Sequence, residues 1–343
     1  MKRASLGRGG VIAIAVAIAV ALGFVFEHEP QREKEMPLFP DLREKLATVD
    51  AITLGKNDER LNLAHHAEGW VIADKGGVPA DGGAVQKFLL DLSRIERLEP
   101  RTADPALYDK LELGDAAAIV TLASDGKTVA RLHVGKAASG GAGRRYVRAG
   151  EAPQTWVGAP VPDVKLGVRD WSRLKLPALS RERVKRVSLR HQDGDSIAVA
   201  RAKPAEYGFR LQGLKKGEVA AYESVGDGLG ASLAYLTYED IRPASDIDAP
   251  PAVTARFETW DGLTVTLALT QLGDTWWAVP SAQYDPGVAA APEAPAQMPD
   301  AAPDGKQEAA DINALAAWAF ALPDYKASEL VKRRRDFLKD PQE

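Results

Sequence analysis

Apolar and polar positions begin to alternate at Val49. Val49-Asp50-Ala51-Ile52-Thr53-Leu54 forms one arm and Leu61-Asn62-Leu63 a second, joined through Gly55-Lys56-Asn57-Asp58. A period of two on both arms predicts a hairpin with one buried face. Gly69-Trp70-Val71-Ile72 continues as a third strand. The period then changes. After Pro79-Ala80-Asp81, the apolar residues Val85, Phe88, Leu89, Leu92 and Ile95 recur at helical spacing. This predicts a helix with Asp81 as its N-cap. Ala118-Ile119-Val120-Thr121-Leu122 then turns at Asp125-Gly126 into Val129-Ala130-Arg131-Leu132. Asp-Gly between alternating strands signals a tight hairpin, because both central residues of that turn take positive φ.

The second half repeats this order. Val184 to Leu189 matches Val49 to Leu54, Asp193-Gly194 supplies the turn, and Ile197-Ala198-Val199 returns. Gly208-Phe209 stands where Gly69-Trp70 stood, and Val225, Leu229, Leu233 and Leu236 mark the next helix. Val253 to Phe257 turns at Asp261-Gly262 into Leu263 to Leu267, and Trp276-Trp277-Ala278-Val279 parallels Thr155-Trp156-Val157-Gly158. The offset is about 135 residues at the first hairpin and about 139 at the Gly-aromatic pair. The expected fold class is therefore α+β: two similar lobes at 48–165 and 183–280, each an antiparallel sheet with one packed helix, joined by a junction at 166–182.

A different pattern precedes the lobes. Lys2, Arg3 and Arg8 lead into an uncharged run, Val11 to Phe26, in which ten of sixteen residues are Val, Ile, Leu or Phe. At about −0.3 to −0.6 kcal/mol each, these residues supply roughly −3 to −6 kcal/mol for insertion into a bilayer. Residues 1–30 read as a single transmembrane helix with its flanks, followed by a tether at 31–47. The rival reading is a cleaved signal peptide. Cutting after Ala19-Val20-Ala21 would leave Leu22-Gly23-Phe24-Val25-Phe26 at a new terminus, which favours the anchor. Basic charge before the run and acidic charge after it place the amino terminus inside and the bulk of the chain outside. In a bacterium this is the inner membrane, with the lobes periplasmic. Past the second lobe, residues 281–305 are rich in Ala and Pro and read as a flexible loop. Residues 306–343 read as two short helices broken at Pro323.

Composition narrows the chemistry. The 343 residues hold 45% hydrophobic residues, enough for substantial cores, and a net charge of −4, which disfavours a nucleic-acid binder. With no cysteine and only 5 histidines, thiolate metal sites, iron–sulfur clusters and cysteine nucleophiles drop out. No Gly-x-x-x-x-Gly-Lys-Ser/Thr loop occurs, so no nucleotide is expected on this chain. Gly226-Asp227-Gly228-Leu229-Gly230 has the wrong glycine spacing for a dinucleotide turn and reads as close packing or a kink. Ser172-x-x-Lys175 lacks the companion elements of the Ser/Lys enzymes. His65-His66 are strand neighbours pointing to opposite faces. Asp193-Gly194-Asp195 reads as a turn rather than a calcium loop.

No catalytic residue, cofactor or metal is expected, and the chain is not expected to be an enzyme. The residues left as a partner or ligand surface are few. Trp276 and Trp277 face opposite sides of a strand, so one is a candidate exposed aromatic. Arg144 and Arg145 follow Gly140-Gly141-Ala142-Gly143, which reads as a mobile hairpin tip before the Tyr146-Val147 strand, with an anion cradle as the alternative. Arg333, Arg334 and Arg335 form a basic run suited to anionic lipid or an acidic partner, or to a helix carboxy terminus. Trp70, Trp156 and Trp260 read as core aromatics, with a carbohydrate platform as the alternative.

Phe39-Pro40 to Leu54, the Gly69-Trp70 strand, Pro79 to Leu92, Leu107-Tyr108 to Leu122, Trp156-Val157 and their second-half counterparts resemble the bacterial domain-of-unknown-function family 4340. Leu322-Pro323-Asp324-Tyr325-Lys326-Ala327 resembles the end of some members. Where members carry a Tyr-Gly-Leu-Asp-Pro-Pro type of entry to the hairpin, this chain has Tyr108-Asp109-Lys110-Leu111-Glu112-Leu113. The resemblance implies a membrane helix followed by a repeated α+β unit. It also implies a role beside an ABC-type export system, since related domains occur in gliding-motility-associated ABC transporter auxiliary proteins. The expected function is a membrane-anchored, envelope-facing accessory protein that docks a permease–ATPase complex; the alternative is a periplasmic binding module for an envelope glycan or lipid.

Overall fold

Alternation on the first hairpin leaves Ile52, Leu54, Leu61 and Leu63 on one face, where all four are buried. The computed structural model describes residues 36–289 and 304–339. The apolar run Val11 to Phe26 and most of the Ala/Pro-rich stretch lie outside the described residues. Among the described residues no helix is long and apolar enough to cross a membrane.

Two antiparallel sheets form the molecule. The first comprises β1 (Ala51–Lys56), β2 (Glu59–His66), β3 (Gly69–Ile72), β4 (Val78–Pro79), β5 (Glu96–Pro100), β6 (Ala118–Ser124), β7 (Lys127–Ala137), β8 (Arg145–Ala149) and β9 (Thr155–Ala159). Their order is β4-β3-β2-β1-β6-β7-β8-β9-β5. A short helix, α1 (Leu42–Lys45), precedes the sheet, and α2 (Gly82–Ser93) lies across its apolar face through Val85, Phe88, Leu89 and Leu92. The Asp81 carboxylate accepts from the Gly83 and Ala84 amides at 2.9 and 3.1 Å, the predicted cap. Asp125 and Gly126 take φ of 50° and 72°, as the β6–β7 turn requires.

The second sheet comprises β10 (Val184–His191), β11 (Ser196–Ala200), β12 (Arg210–Leu211), β13 (Asp240–Pro243), β14 (Val253–Thr259), β15 (Leu263–Leu272), β16 (Thr275–Tyr284) and β17 (Trp318–Leu322). Its order, β12-β11-β10-β14-β15-β16-β17-β13, follows that of the first sheet strand for strand except at β4. Register agrees as well. Ile52 pairs with Leu122 and Leu122 with Ala130; in the second sheet Val187 pairs with Phe257 and Phe257 with Val265. Each residue of the second trio lies 135 positions beyond its counterpart.

Four expectations need correction. The tether is not free over its whole length: Leu38 and Leu42 are buried, and the Leu38 amide donates to Ile95 O at 2.7 Å. Apolar side chains at those two positions dock the segment against the edge at β5. The second-lobe helix shrinks to α4 (Asp227–Gly230) followed by turns. Three glycines in five residues disfavour a longer helix, and Gly226 and Gly230 lie against Val199 and Phe209 at approaches a Cβ would block. The second lobe extends past 280. Trp318–Leu322 is not helical but pairs as β17 with β16 and β13, so the true counterpart of Thr155–Ala159 is β17, and β16 answers to β8. An excursion containing α5 (Pro286–Ala289) and α6 (Gly305–Asn313) separates them. Of the two expected terminal helices, only α7 (Asp324–Leu330), after Pro323, is present as one.

Residues 166–182 are a packed strap rather than a loose linker. The Trp171 ring meets Phe88 edge-on at 5.2 Å, its Nε1 donates to Lys165 O, and its carbonyl accepts from the Asp81 amide at 2.6 Å. This anchors the short helix α3 (Val168–Trp171), which we number with the strap, on the first lobe. On the other side Leu179 N donates to Leu233 O at 3.2 Å and Tyr238 Oη to Leu174 O at 2.7 Å. Lys75 and Asp240 form an ion pair at 2.7 Å directly between the lobes.

Trp171→Ala removes the ring that holds the strap and should cost about 3–5 kcal/mol, read from the midpoint of chemical denaturation. Gly230→Ala drives a methyl into the Phe209 ring and should cost about 1–3 kcal/mol by the same measurement, whereas Gly82→Ala, with open space at its Cβ position, should not destabilise.

Candidate functional site

Most of the residues nominated as a partner surface are engaged inside the protein. Trp277 is 4% exposed, with the Arg242 guanidinium 3.9 Å from its ring centroid and Ala319 and Ala321 beneath it. Trp276, on the opposite face, is half-buried against the main core. Neither tryptophan is the exposed aromatic that was expected, because Ile247, in the β13–β14 connection, packs on the Trp277 side of the strand and the main core lies on the Trp276 side. Arg144 lies 3.7 Å from Glu99, and Arg145 pairs with Asp163 at 3.0 Å and donates to Gly135 O. Both arginines thus face carboxylates of the first lobe, and the glycine loop is the hairpin tip between β7 and β8.

The basic run near the carboxy terminus clamps the chain to the second lobe. Arg333 Nη1 reaches Asp193 at 2.6 Å, and Arg334 reaches Glu218 and Gly213 O. Arg333 holds the Asp193 carboxyl below its usual range, and Arg334 holds Glu218 down at about 2. The helix α7 ends at Leu330, before the run, so these arginines do not sit at its carboxy terminus; Arg333 instead caps the start of a 3-10 turn at Arg334–Phe337, its amide donating to Asp336 at 2.8 Å. Arg335 alone stays largely exposed, 3.6 Å from Asp336.

The motifs set aside in the sequence have structural roles. Gly226 and Gly230 serve close packing. Ser172 Oγ accepts from the Leu174 amide in the strap. Asp193 and Asp195 flank the β10–β11 turn. Trp70 packs edge-on against His65, Trp156 lies under Arg97, and buried Trp260 lies under Lys185.

Three buried polar groups were missed, since nothing local in sequence marks them. Arg183 bridges Asp261 and Glu308, each at 2.7 Å, and these two carboxylates hold its pKa above the ordinary arginine value against the opposing effect of burial. That contact ties α6, on the far side of the excursion, to the start of β10. Arg201 has no carboxylate; its guanidinium donates to the carbonyls of Arg181, Glu182, Val184, Pro204 and Glu206. His133 lies on the outer face of β7, 3.0 Å from Arg148 Nη2. Burial, then the Arg148 charge, pushes its pKa down to about 4.

Most of the large hydrophobic side chains that remain exposed lie in the second lobe, and four of them are aromatic: Tyr207, Tyr222, Tyr235 and Tyr325 are 78%, 62%, 86% and 64% exposed, with Leu214 and Val219 at 45% and 60%. Tyr207 stacks on Arg181, which pairs with Asp227 of α4, and Lys326, next to Tyr325, donates to Ser232 O. Tyrosine suits a protein interface, joining large area to a polar tip at low entropic cost. The lobe junction, by contrast, is filled by Trp171, Leu176 and Leu179. What remains at the strap is an open depression of about 330 Å³ where Leu174 and Pro177 meet Ile312 and Leu315, lined also by Arg173, Lys175, Glu308 and Asp311.

The family model described as a domain of unknown function (DUF4340) matches residues 70–254, from β3 into β14 and across the strap. No curated protein and no solved structure matches the chain.

His133 is neutral when folded and binds its proton more readily unfolded, so stability should fall as pH drops from about 6.5 to about 4, by at most ~3 kcal/mol. Urea titrations across that range should show the loss, and His133→Gln should flatten it. Arg183→Met leaves Asp261 and Glu308 buried and facing each other and should cost about 3–5 kcal/mol, measured by denaturation at neutral pH.

Proposed function

Because the chain belongs to this family of domains of unknown function, its role is read from its own residues, and we propose a membrane-anchored, envelope-facing accessory protein that docks other proteins. The observation that carries the reading is the set of four exposed tyrosines, Tyr207, Tyr222, Tyr235 and Tyr325, in the second lobe. Val11 to Phe26 acts as a single-pass anchor at the bacterial inner membrane, amino terminus inside. Leu38, which docks on the first lobe, follows Phe26 by twelve positions. At full extension that reach is at most about 40 Å, so the lobes stay close to the bilayer. The packed strap supports the same reading, since it presents both lobes as one body. The lobes are two copies of one ancestral sheet-and-helix unit, a relation supported by their common strand order and register. The assembly docked is an ABC-type permease–ATPase complex, in line with the resemblance carried by the repeat, and the chain itself performs no catalysis.

Two measurements test this. Val16→Arg with Val20→Arg costs about 5–7 kcal/mol of insertion, as much as the whole run supplies, and should move the protein from the membrane to the soluble fraction. Affinity capture of the detergent-solubilised full chain should recover permease and ATPase subunits, and capture through a Tyr222→Ala/Tyr235→Ala variant should recover them at least several-fold less well. Repeated recovery of the chain alone would overturn the reading.

A further inference from the structure

The matching registers of the two lobes allow each position of one to be compared with the same position of the other. On the outer faces, away from the core, Arg186, Arg190 and Arg256 occupy the places that Ala51, Gly55 and Thr121 occupy in the first lobe. The same strands pair in the same register with small side chains there, so the fold itself does not call for arginines. All three are exposed, on a floor of small side chains: Ser188 lies between Arg186 and Arg190 on β10, and Thr254 and Thr266 lie across from Arg190 and Arg256. Glu258, directly across from Arg186, contacts Arg256 at 3.0 Å. Arg186 and Arg190 enter none of the ion pairs found among the described residues.

We propose that this arginine strip on β10 and β14 docks an acidic polypeptide segment of a partner protein. Arg186 and Arg190 stand four residues apart on one strand, so their Cα atoms lie about 13 Å apart. One small anion does not span that distance, whereas an extended chain with carboxylates four residues apart presents charge at this spacing. Guanidinium groups pair bidentately with carboxylates, and the hydroxyl floor lets a partner backbone approach closely. The outer face of the first lobe shows that a segment of polypeptide packs over an arginine there: the Tyr108 ring lies 5.3 Å from the Arg148 guanidinium. Close contact of that segment with the sheet is fixed at Gly135, where a Cβ would meet Leu111 O. On β10 and β14 the same outer face is left uncovered at Arg186, Arg190 and Arg256.

This names a partner class for the docking role proposed above and rests on that reading, but its test is separate. Binding of fluorescein-labelled poly-L-glutamate to the full chain in detergent is followed by anisotropy at low salt. Arg186→Ala/Arg190→Ala should weaken binding about tenfold, in line with the modest energy of exposed ion pairs. Arg60→Ala/Arg94→Ala, the same charge change on exposed sites of the first lobe, should leave it within twofold. Equal loss in both variants, or no loss in the first, overturns the proposal by reducing the effect to net charge. If instead vesicles of phosphatidylglycerol bind through Arg186 and Arg190 while polyglutamate does not, the strip reads lipid and the proposal also fails. Permease and ATPase subunits recovered equally well by the Arg186→Ala/Arg190→Ala variant would overturn the strip alone. Recovery of none by the unmodified chain, with polyglutamate binding intact, would overturn the accessory role alone.

Discussion

An antiparallel sheet built from alternating residues has one apolar face that it has no means of covering itself. Everything else in this protein answers to that constraint. In the first lobe α2 covers the face with four buried side chains. In the second, a short helix, a run of turns and α7 do so, with Leu229, Leu233 and Leu330 all buried. The covering elements meet at the strap, where Trp171, Leu176 and Leu179 join the same apolar cluster as both sheets. The two halves are therefore mechanically one body, and any surface on the second lobe is held in a defined place relative to the first.

Charge follows a similar logic. Carboxylates and carbonyls satisfy several arginines where the fold needs them: Arg183 with two acids, Arg201 with five carbonyls, Arg333 and Arg334 with the hairpin and loop they clamp. An arginine without such a partner, in a register where the sister lobe has alanine or glycine, stands out against that background. The exposed tyrosines stand out in the same way, since the rest of the large apolar side chains in the sheets point inward.

Much of the fold was legible in the chain, for reasons that are local. Period-two alternation and an Asp-Gly turn need only near neighbours, so β1, β2, β6, β7, β10, β14 and β15 were readable. So was the helix capped by Asp81. What failed was non-local. Trp318-Ala319-Phe320-Ala321-Leu322 is apolar at every position because β17 is covered on both faces, and a continuous apolar run has no period to separate strand from helix. The second-lobe helix kept its apolar spacing, but its glycines serve Phe209 rather than a helix axis. The nominated surface residues were misjudged because a basic run or a tryptophan pair reads as available until the distant residue that engages it is known: Asp193 for Arg333, Glu218 for Arg334, Arg242 for Trp277. The unsatisfied arginines of β10 were hidden for the converse reason, since a strand rich in Arg and Ser looks like an ordinary solvated face.

The long excursion between β16 and β17 bears on how the chain comes together in time. The first sheet is complete once Thr155–Ala159 has left the site of synthesis or export. The second keeps one strand waiting: β13 pairs only with β17, so residues 240–243 have no neighbour in their sheet until residues 318–322 arrive. Pairing over such a separation adds a loop-closure cost. The first lobe thus matures early, while its sister keeps an unpaired margin until residues 318–322 have emerged. During that interval the unfinished lobe is the part of the nascent polypeptide most open to chaperone capture or wrong association.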